Sequence, residues 1–244
     1  MAAREVKNAA IRVENLVKTF KDVRAVNGVS FAVEEGELFA FLGENGAGKS
    51  TSIAVICGLL QKDGGKVYVA GQDAEKNDSA KSKIGVVFQN SVLDKALSAR
   101  DNLCSRAALY GIVGEKFRQR LTELDGLLHF KEFVDRPLSR LSGGQRRKID
   151  IARALVHKPK ILILDDSTSA VDTKTDALIR KALKDYIPQT TKIIIAQRIA
   201  SVSDADKIII MENGRITATG THDSLLKSND VYAELYRSQN KEDK

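Results

Sequence analysis

No apolar stretch in this sequence is long enough to cross a bilayer. The longest uninterrupted runs are about eight residues, as in Ile53 to Leu60, against the ~20 that a membrane-spanning helix needs. Residues Met1 to Glu5 lead into no apolar segment of the kind that opens a secretory leader. A membrane, if one is involved, is expected to be supplied by another chain. Cysteine is scarce: Cys57 and Cys104 sit in apolar helical contexts without metal or redox spacing, and are expected as buried free thiols in a reducing compartment. The three histidines, His129, His157 and His222, are too scattered to argue for a zinc set or a Ser/His/Asp arrangement. Internal repeats and low-complexity blocks are absent. The net charge of +7 is spread along the chain, with no long basic run and no interleaved aromatics. That distribution reads as a solvated, mildly cationic surface, with no nucleic-acid partner expected. Nucleotide phosphate and an anionic membrane surface are the secondary reasons for the sign.

What is present is more specific. Gly43-Glu44-Asn45-Gly46-Ala47-Gly48-Lys49-Ser50 matches G-x-x-x-x-G-K-[ST], the phosphate-cradling loop of nucleotide-hydrolysing enzymes. Glycines let the backbone wrap a phosphate with N–H groups pointing inward. Lys49 adds a point charge for the outer phosphates, the Ser50 hydroxyl can ligate Mg²⁺, and the helix that opens through Thr51 adds the positive end of its dipole. The setting is the required one. Glu37 to Leu42 reads as a buried strand, and Thr51 to Leu60 carries Ile53, Ile56, Cys57 and Leu60 at helical spacing.

Along the rest of the chain, strands are expected at Ala10–Leu16, Val29–Val33, Lys66–Val69, Ile84–Phe88, Ile161–Leu164 and Lys192–Ala196. Helices are expected from Ala99 to about His129, from Ser142 to Val156, from Thr173 to Tyr186 and from Asp223 to Ser238. Pro137, Pro159 and Pro188 punctuate them. Glu212-Asn213-Gly214 between two β-rich runs predicts a hairpin. Strands alternating with helices imply an α/β fold with a mainly parallel sheet. The expected organisation is one domain over 1–244, with residues 1–90 and 156–244 as core and 91–155 as a helical lobe.

Three features then recur in a fixed order. Gln89 closes a strand, Leu141-Ser142-Gly143-Gly144-Gln145 stands just before a helix, and Asp165 closes an apolar strand. With the phosphate loop, this order resembles the ATP-binding cassette (ABC) ATPases, the motor subunits of ABC transporters, over essentially the whole chain. The resemblance implies a P-loop NTPase fold: a mainly parallel sheet flanked by helices, an antiparallel β subdomain and an inserted α-helical subdomain. It implies ATP and Mg²⁺ as ligands. Phe20 falls where the family stacks an aromatic on adenine, or is a core aromatic. Asp165 would hold Mg²⁺. Gln89 would reach the metal and the attacking water, or is a polar strand-end cap. Leu141 to Gln145 would bind the terminal phosphate of ATP held by a second ATPase subunit, so that two chains sandwich two nucleotides head to tail. Asp172 matches the loop that crosses that interface, or caps a helix. The implied partners are a transmembrane permease subunit and that second ATPase subunit. The implied location is cytoplasmic, peripheral on the inner face of the cell membrane.

Two positions depart from the family's catalytic pattern. After the Mg²⁺ aspartate the family usually has Glu, the water-activating base, where this chain has Asp166. After the later buried strand it usually has His, where this chain has Gln197. Asp withdraws the carboxylate by roughly 1.5 Å, and misplacement of about 1 Å can cost ~10²-fold in rate. The resemblance therefore implies slow hydrolysis at this chain's own loop, as in the degenerate half of heterodimeric exporters. It is also divided: about 10–165 resemble stand-alone drug-resistance-type export ATPases, and Ser167 to Asp172 with Ile193 to Ser238 resemble exporters whose ATPase follows a membrane domain. An export motor is the leading expectation. A nucleotide-gated regulatory or scaffold subunit is the second. An ABC ATPase acting on DNA or ribosomes is the third, disfavoured because only about fifty residues separate Gln89 from Leu141.

Overall fold

Imperfect alternation of apolar and polar residues opens the structure as β1 (Ala9–Phe20). Ile11, Val13 and Leu16 are fully buried. The alternation breaks at Glu14 and Asn15, where the register against β2 (Val23–Glu34) shifts and Asn15 takes a positive φ of 48°. A β-bulge here restores Leu16 to the buried face. β1 also pairs with β4 (Gly64–Val69), which pairs with the short β5 (Gln72–Asp73), giving an antiparallel sheet in the order β2-β1-β4-β5.

This computed structural model describes residues 9–165, 182–183 and 185–242. The second sheet has six strands in the order β10-β9-β3-β8-β7-β6. They are β3 (Leu38–Leu42), β6 (Ile84–Val87), β7 (Ile161–Asp165), β8 (Thr191–Ala196), β9 (Lys207–Glu212) and β10 (Arg215–Gly220). β3 is parallel to both β8 and β9, and β10 is antiparallel to β9. The apolar runs Phe39–Leu42 of β3, Ile161–Leu164 of β7 and Ile193–Ala196 of β8 are buried, as strands of a covered parallel sheet must be. Asn213 (φ 49°) and Gly214 (φ 74°) make the hairpin turn that joins β9 to β10. Phe31 of β2 meets Phe39 and Phe41 of β3 with ring centroids 5.5 and 5.2 Å apart, and this aromatic knot ties the antiparallel sheet to the parallel one.

The described residues form two compact units, and β6 and β7 run from one into the other. One unit holds both β-rich regions, α1 (Lys49–Ile56), α2 (Asp78–Lys81), α6 (His222–Ser228) and α7 (Asp230–Glu242). The other holds the helices α3 (Ala99–Ala108), α4 (Gly114–Leu128) and α5 (Gly143–Leu155). α4 buries Phe117, Leu121, Leu124 and Leu128, one stripe of a helix, while its remaining faces are polar.

Several helix bounds differ from the periodic reading. α1 ends at Ile56 rather than Leu60 because Gly58 adopts a left-handed φ of 69°. The Gly58 amide then donates to Val55 O and the Leu59 amide to Ala54 O, a Schellman termination. The expected helix over 99–129 divides at Gly111 and Gly114, both at positive φ. The one over 223–238 divides at Asn229, whose extended backbone and side-chain bond from the Tyr232 amide (2.8 Å) restart it as α7. Cys104 is exposed, not buried, because the phase of α3 turns Leu103 and Ala107 inward instead. Cys57 is partly buried, and burial pushes its thiol up to about 12. Most of the helix expected at 173–186 lies outside the described residues.

Candidate functional site

The first part of the site is the junction between β3 and α1. Residues 43–48 leave the end of β3 and turn into the helix that Lys49 opens. Gly48 sits at φ 98°, and a Cβ there would collide with the carbonyl oxygen of Ala25. Gly43 is equally closed in, against the carbonyl oxygen of Met211. Sequence and packing thus both require glycine at these two places. The start of α1 carries no side-chain cap and no acidic residue in its first turn. Its amides and its dipole are left directed toward the loop, the arrangement that suits an anion.

Lys49 is buried at 6% exposure, an uncommon place for an ammonium. Its Nζ donates to the carbonyls of Gly43 (2.6 Å) and Glu44 (2.8 Å), so the charge lies inside the loop. Burial lowers its pKa, partly offset by the carboxylates of Asp165 and Glu44. Ser50 Oγ donates to Asp165 Oδ2 at 3.5 Å, joining the helix start to the end of β7. Just past β8, Gln197 Nε2 donates to Asn45 Oδ1 at 2.6 Å. Gly46, Ala47 and Thr51 complete the loop and first turn, with Ala47 buried against the Gly214 amide, which donates to its carbonyl. Phe20, at the tip of the β1–β2 hairpin, is 46% exposed and carries the Lys18 ammonium 5.5 Å from its ring centroid. A core role is excluded at that exposure. Lys49, Ser50, Asn45, Asp165, Gln197 and Phe20 all belong to the same unit.

The other unit carries Gln89 and the Leu141–Gln145 segment. Leu141 is buried (4%) and anchors the start of α5. Ser142 is the N-cap: its Oγ accepts from the Gln145 amide (3.2 Å), and Gln145 Oε1 accepts from the Ser142 amide (3.0 Å). This reciprocal pair is a capping box. It leaves Gly143 and Gly144, without side chains, as the first turn of a thirteen-residue helix. Replacing Ser142 by Ala is expected to lower stability by about 1 kcal/mol, measurable as a fall in the urea midpoint at unchanged m-value.

Gln89 is exposed, just beyond β6. Three side chains of α5 hold the segment around it. Arg147 donates to Phe88 O and Arg153 to Val86 O, both at 3.2 Å, and Asp150 accepts from Ser91 Oγ at 2.9 Å. Burial raises the Asp150 carboxyl pKa, opposed by the Ser91 bond and the nearby arginines. Motif reading passed over these three residues as supports. The available signal was an acid between Ile149 and Ile151 on the buried face of a helix. Asp166 and Asp172 lie outside the described residues. Among the described residues, no helix is long and apolar enough to cross a membrane.

The family model described as "ABC transporter" matches residues 26–169. The sulfate/thiosulfate import ATP-binding protein CysA of Synechococcus elongatus is 36% identical over 88% of this chain and 63% of its own length. A putative multidrug export ATP-binding/permease protein of Staphylococcus aureus is 30% identical over 97% of this chain and 42% of its own length. This chain therefore spans less than two thirds of either relative. Among solved structures, the cassette MJ0796, as a post-hydrolysis dimer bound to ADP and Pi, superposes with a TM-score of 0.79 at 28% identity, covering 87% of this chain and 98% of that one. Importer and exporter relatives alike match across most of the chain. They give no support to a division of its resemblance between the two ends.

Proposed function

We propose, because this chain belongs to the ABC transporter family, that it is a transporter's ATP-binding subunit, driving export through a separate permease. The observation that carries this reading is the buried Lys49 inside a glycine loop, beside a strand-end carboxylate at Asp165. A buried ammonium whose solvation is replaced by loop carbonyls is poised to exchange them for phosphate oxygens, which are stronger acceptors. Loop amides from Gly43 to Thr51 and the start of α1 would hold the phosphates, and Phe20 would stack on the adenine. The Ser50 hydroxyl and Asp165 carboxylate, 3.5 Å apart, are hard oxygen donors that suit Mg²⁺ with water and phosphate filling the remaining positions. Mg²⁺ held there would neutralise charge on the phosphate oxygens. Gln89 and Gln197 would orient the attacking water and the terminal phosphate, with Asp166 as a shortened base.

Ser142, Gly143 and Gly144 present a second helix N-terminus. In a head-to-tail dimer it would meet the nucleotide of a second ATPase subunit, identical or different, with Asp172 in the crossing loop. The dimeric state of the MJ0796 structure supports this assembly. A chain that acts this way works on the cytoplasmic side, against a permease at the inner face of the membrane. Asp166 and Gln197 favour a second reading, a subunit that binds ATP and turns it over slowly, acting as regulator or scaffold. Calorimetry on folded protein is expected to show MgATP uptake below millimolar concentration. Absence of uptake at millimolar ATP removes both readings. Co-purification of a permease from membranes tests the transport assignment.

A further inference from the structure

The C-terminal helix is hydrogen-bonded to the backbone of the segment that carries Gln197. Gln239 of α7 uses both ends of its amide: Oε1 accepts from the Ile199 amide at 2.8 Å, and Nε2 donates to the Gln197 carbonyl at 3.3 Å. These backbone groups lie past the end of the β8 ladder, where the chain turns into the short 3-10 segment Ile199–Ser201. One side chain therefore brackets Arg198 from both sides, as a neighbouring strand would. On its other side the same segment sends Gln197 Nε2 to Asn45 of the phosphate loop.

The platform beneath this contact is buried. Tyr232 and Ala233 of α7 are buried, as are Ile199 and Val202. A cleft of about 700 Å³ is lined by Asn45 and Gln197 and, from α7, by Val231, Tyr232 and Leu235. Hydrogen bonds at Gln239 and Gln197 link the helix to the loop.

We propose that Gln239 is a positioning residue. It fixes the backbone at 197–199 so that the Gln197 amide stands at Asn45, where a terminal phosphate would lie, and so it determines how strongly the site prefers ATP to ADP. The inference rests on the nucleotide-binding reading above. A net hydrogen bond shifts an equilibrium about 2- to 10-fold, and two are lost together when Gln239 loses its amide.

The test measures binding of ADP and of a non-hydrolysable ATP analogue, each with Mg²⁺, by calorimetry on the full chain. Gln239→Leu is expected to weaken the ATP analogue about 3- to 10-fold and leave ADP within about twofold. Gln239→Glu keeps the acceptor for the Ile199 amide and is expected to recover most of the loss. In a Gln197→Ala background, Gln239→Leu is expected to change nothing further. Should Gln239→Leu not fold, Gln239→Ser takes its place. Equal weakening of both nucleotides, no weakening of either, or an undiminished effect without the Gln197 side chain each overturns the positioning role. A wild-type chain that binds neither nucleotide overturns the nucleotide reading itself.

Discussion

Lys49→Met is expected to weaken MgATP binding by about 10- to 100-fold while changing stability much less. The binding loss follows from removing a charge-assisted hydrogen bond to phosphate, worth about 1.5–3 kcal/mol. One part of the stability result follows from the sign of the pKa shift. Burial lowers the Lys49 pKa, so the native state disfavours the charged form that the unfolded chain carries freely. That penalty is present at neutral pH and is relieved only as pH rises through the lowered value. Methionine keeps the stem packing and removes the buried charge, but it also takes a donor from the Gly43 and Glu44 carbonyls, so the two effects oppose. Calorimetry and a thermal midpoint on the same samples check both halves. If the Met variant binds MgATP as tightly as the unmodified chain, Lys49 does not face the phosphates.

Asp166→Glu combined with Gln197→His is expected to raise single-turnover ATP hydrolysis by about 100-fold. The glutamate restores roughly 1.5 Å of reach, and errors of about 1 Å cost ~10²-fold. A correctly placed general base contributes ~10²–10⁴. Histidine at 197 replaces an amide that already donates to Asn45 at 2.6 Å, so it inherits a place at the loop. It adds a group with an ordinary pKa of about 6.5, and the double variant should gain an acid limb in its pH–rate profile that the unmodified chain lacks. An unmodified chain that hydrolyses as fast as the double variant would falsify the weakened-site proposal.

The site was legible in sequence wherever a motif is contiguous. Gly43 to Thr51 form a strand-to-helix turn and Leu141 to Gln145 a helix start, as their spacing predicts, because the geometry is local: positive φ at Gly48 and a capping box at Ser142 need only neighbours within a turn. Apolar runs gave β3, β7 and β8 for the same reason, since strands buried on both faces have no alternation to misread. Bounds were less legible. Helical spacing continues through Cys57 and Leu60, yet Gly58 ends α1, because a residue free to take positive φ lets the orphan carbonyls close on themselves. Cys104 was misplaced because one apolar neighbourhood serves both sides of a helix until its packing partner is known.

From its residues alone this chain determined a glycine loop between a strand and a helix, a second glycine-flanked helix start and a strand-rich α/β core, all of them encoded by chemistry within a few positions. Only the tertiary structure decided that Asp150, Arg147 and Arg153 hold the segment around Gln89, and that Gln239 holds the one around Gln197. Those bonds join groups 40 to 67 positions apart, all but the Asp150–Ser91 one between a side chain and the backbone. No spacing rule reaches that far, because the partner of a polar side chain is fixed by which surfaces the folded core brings together.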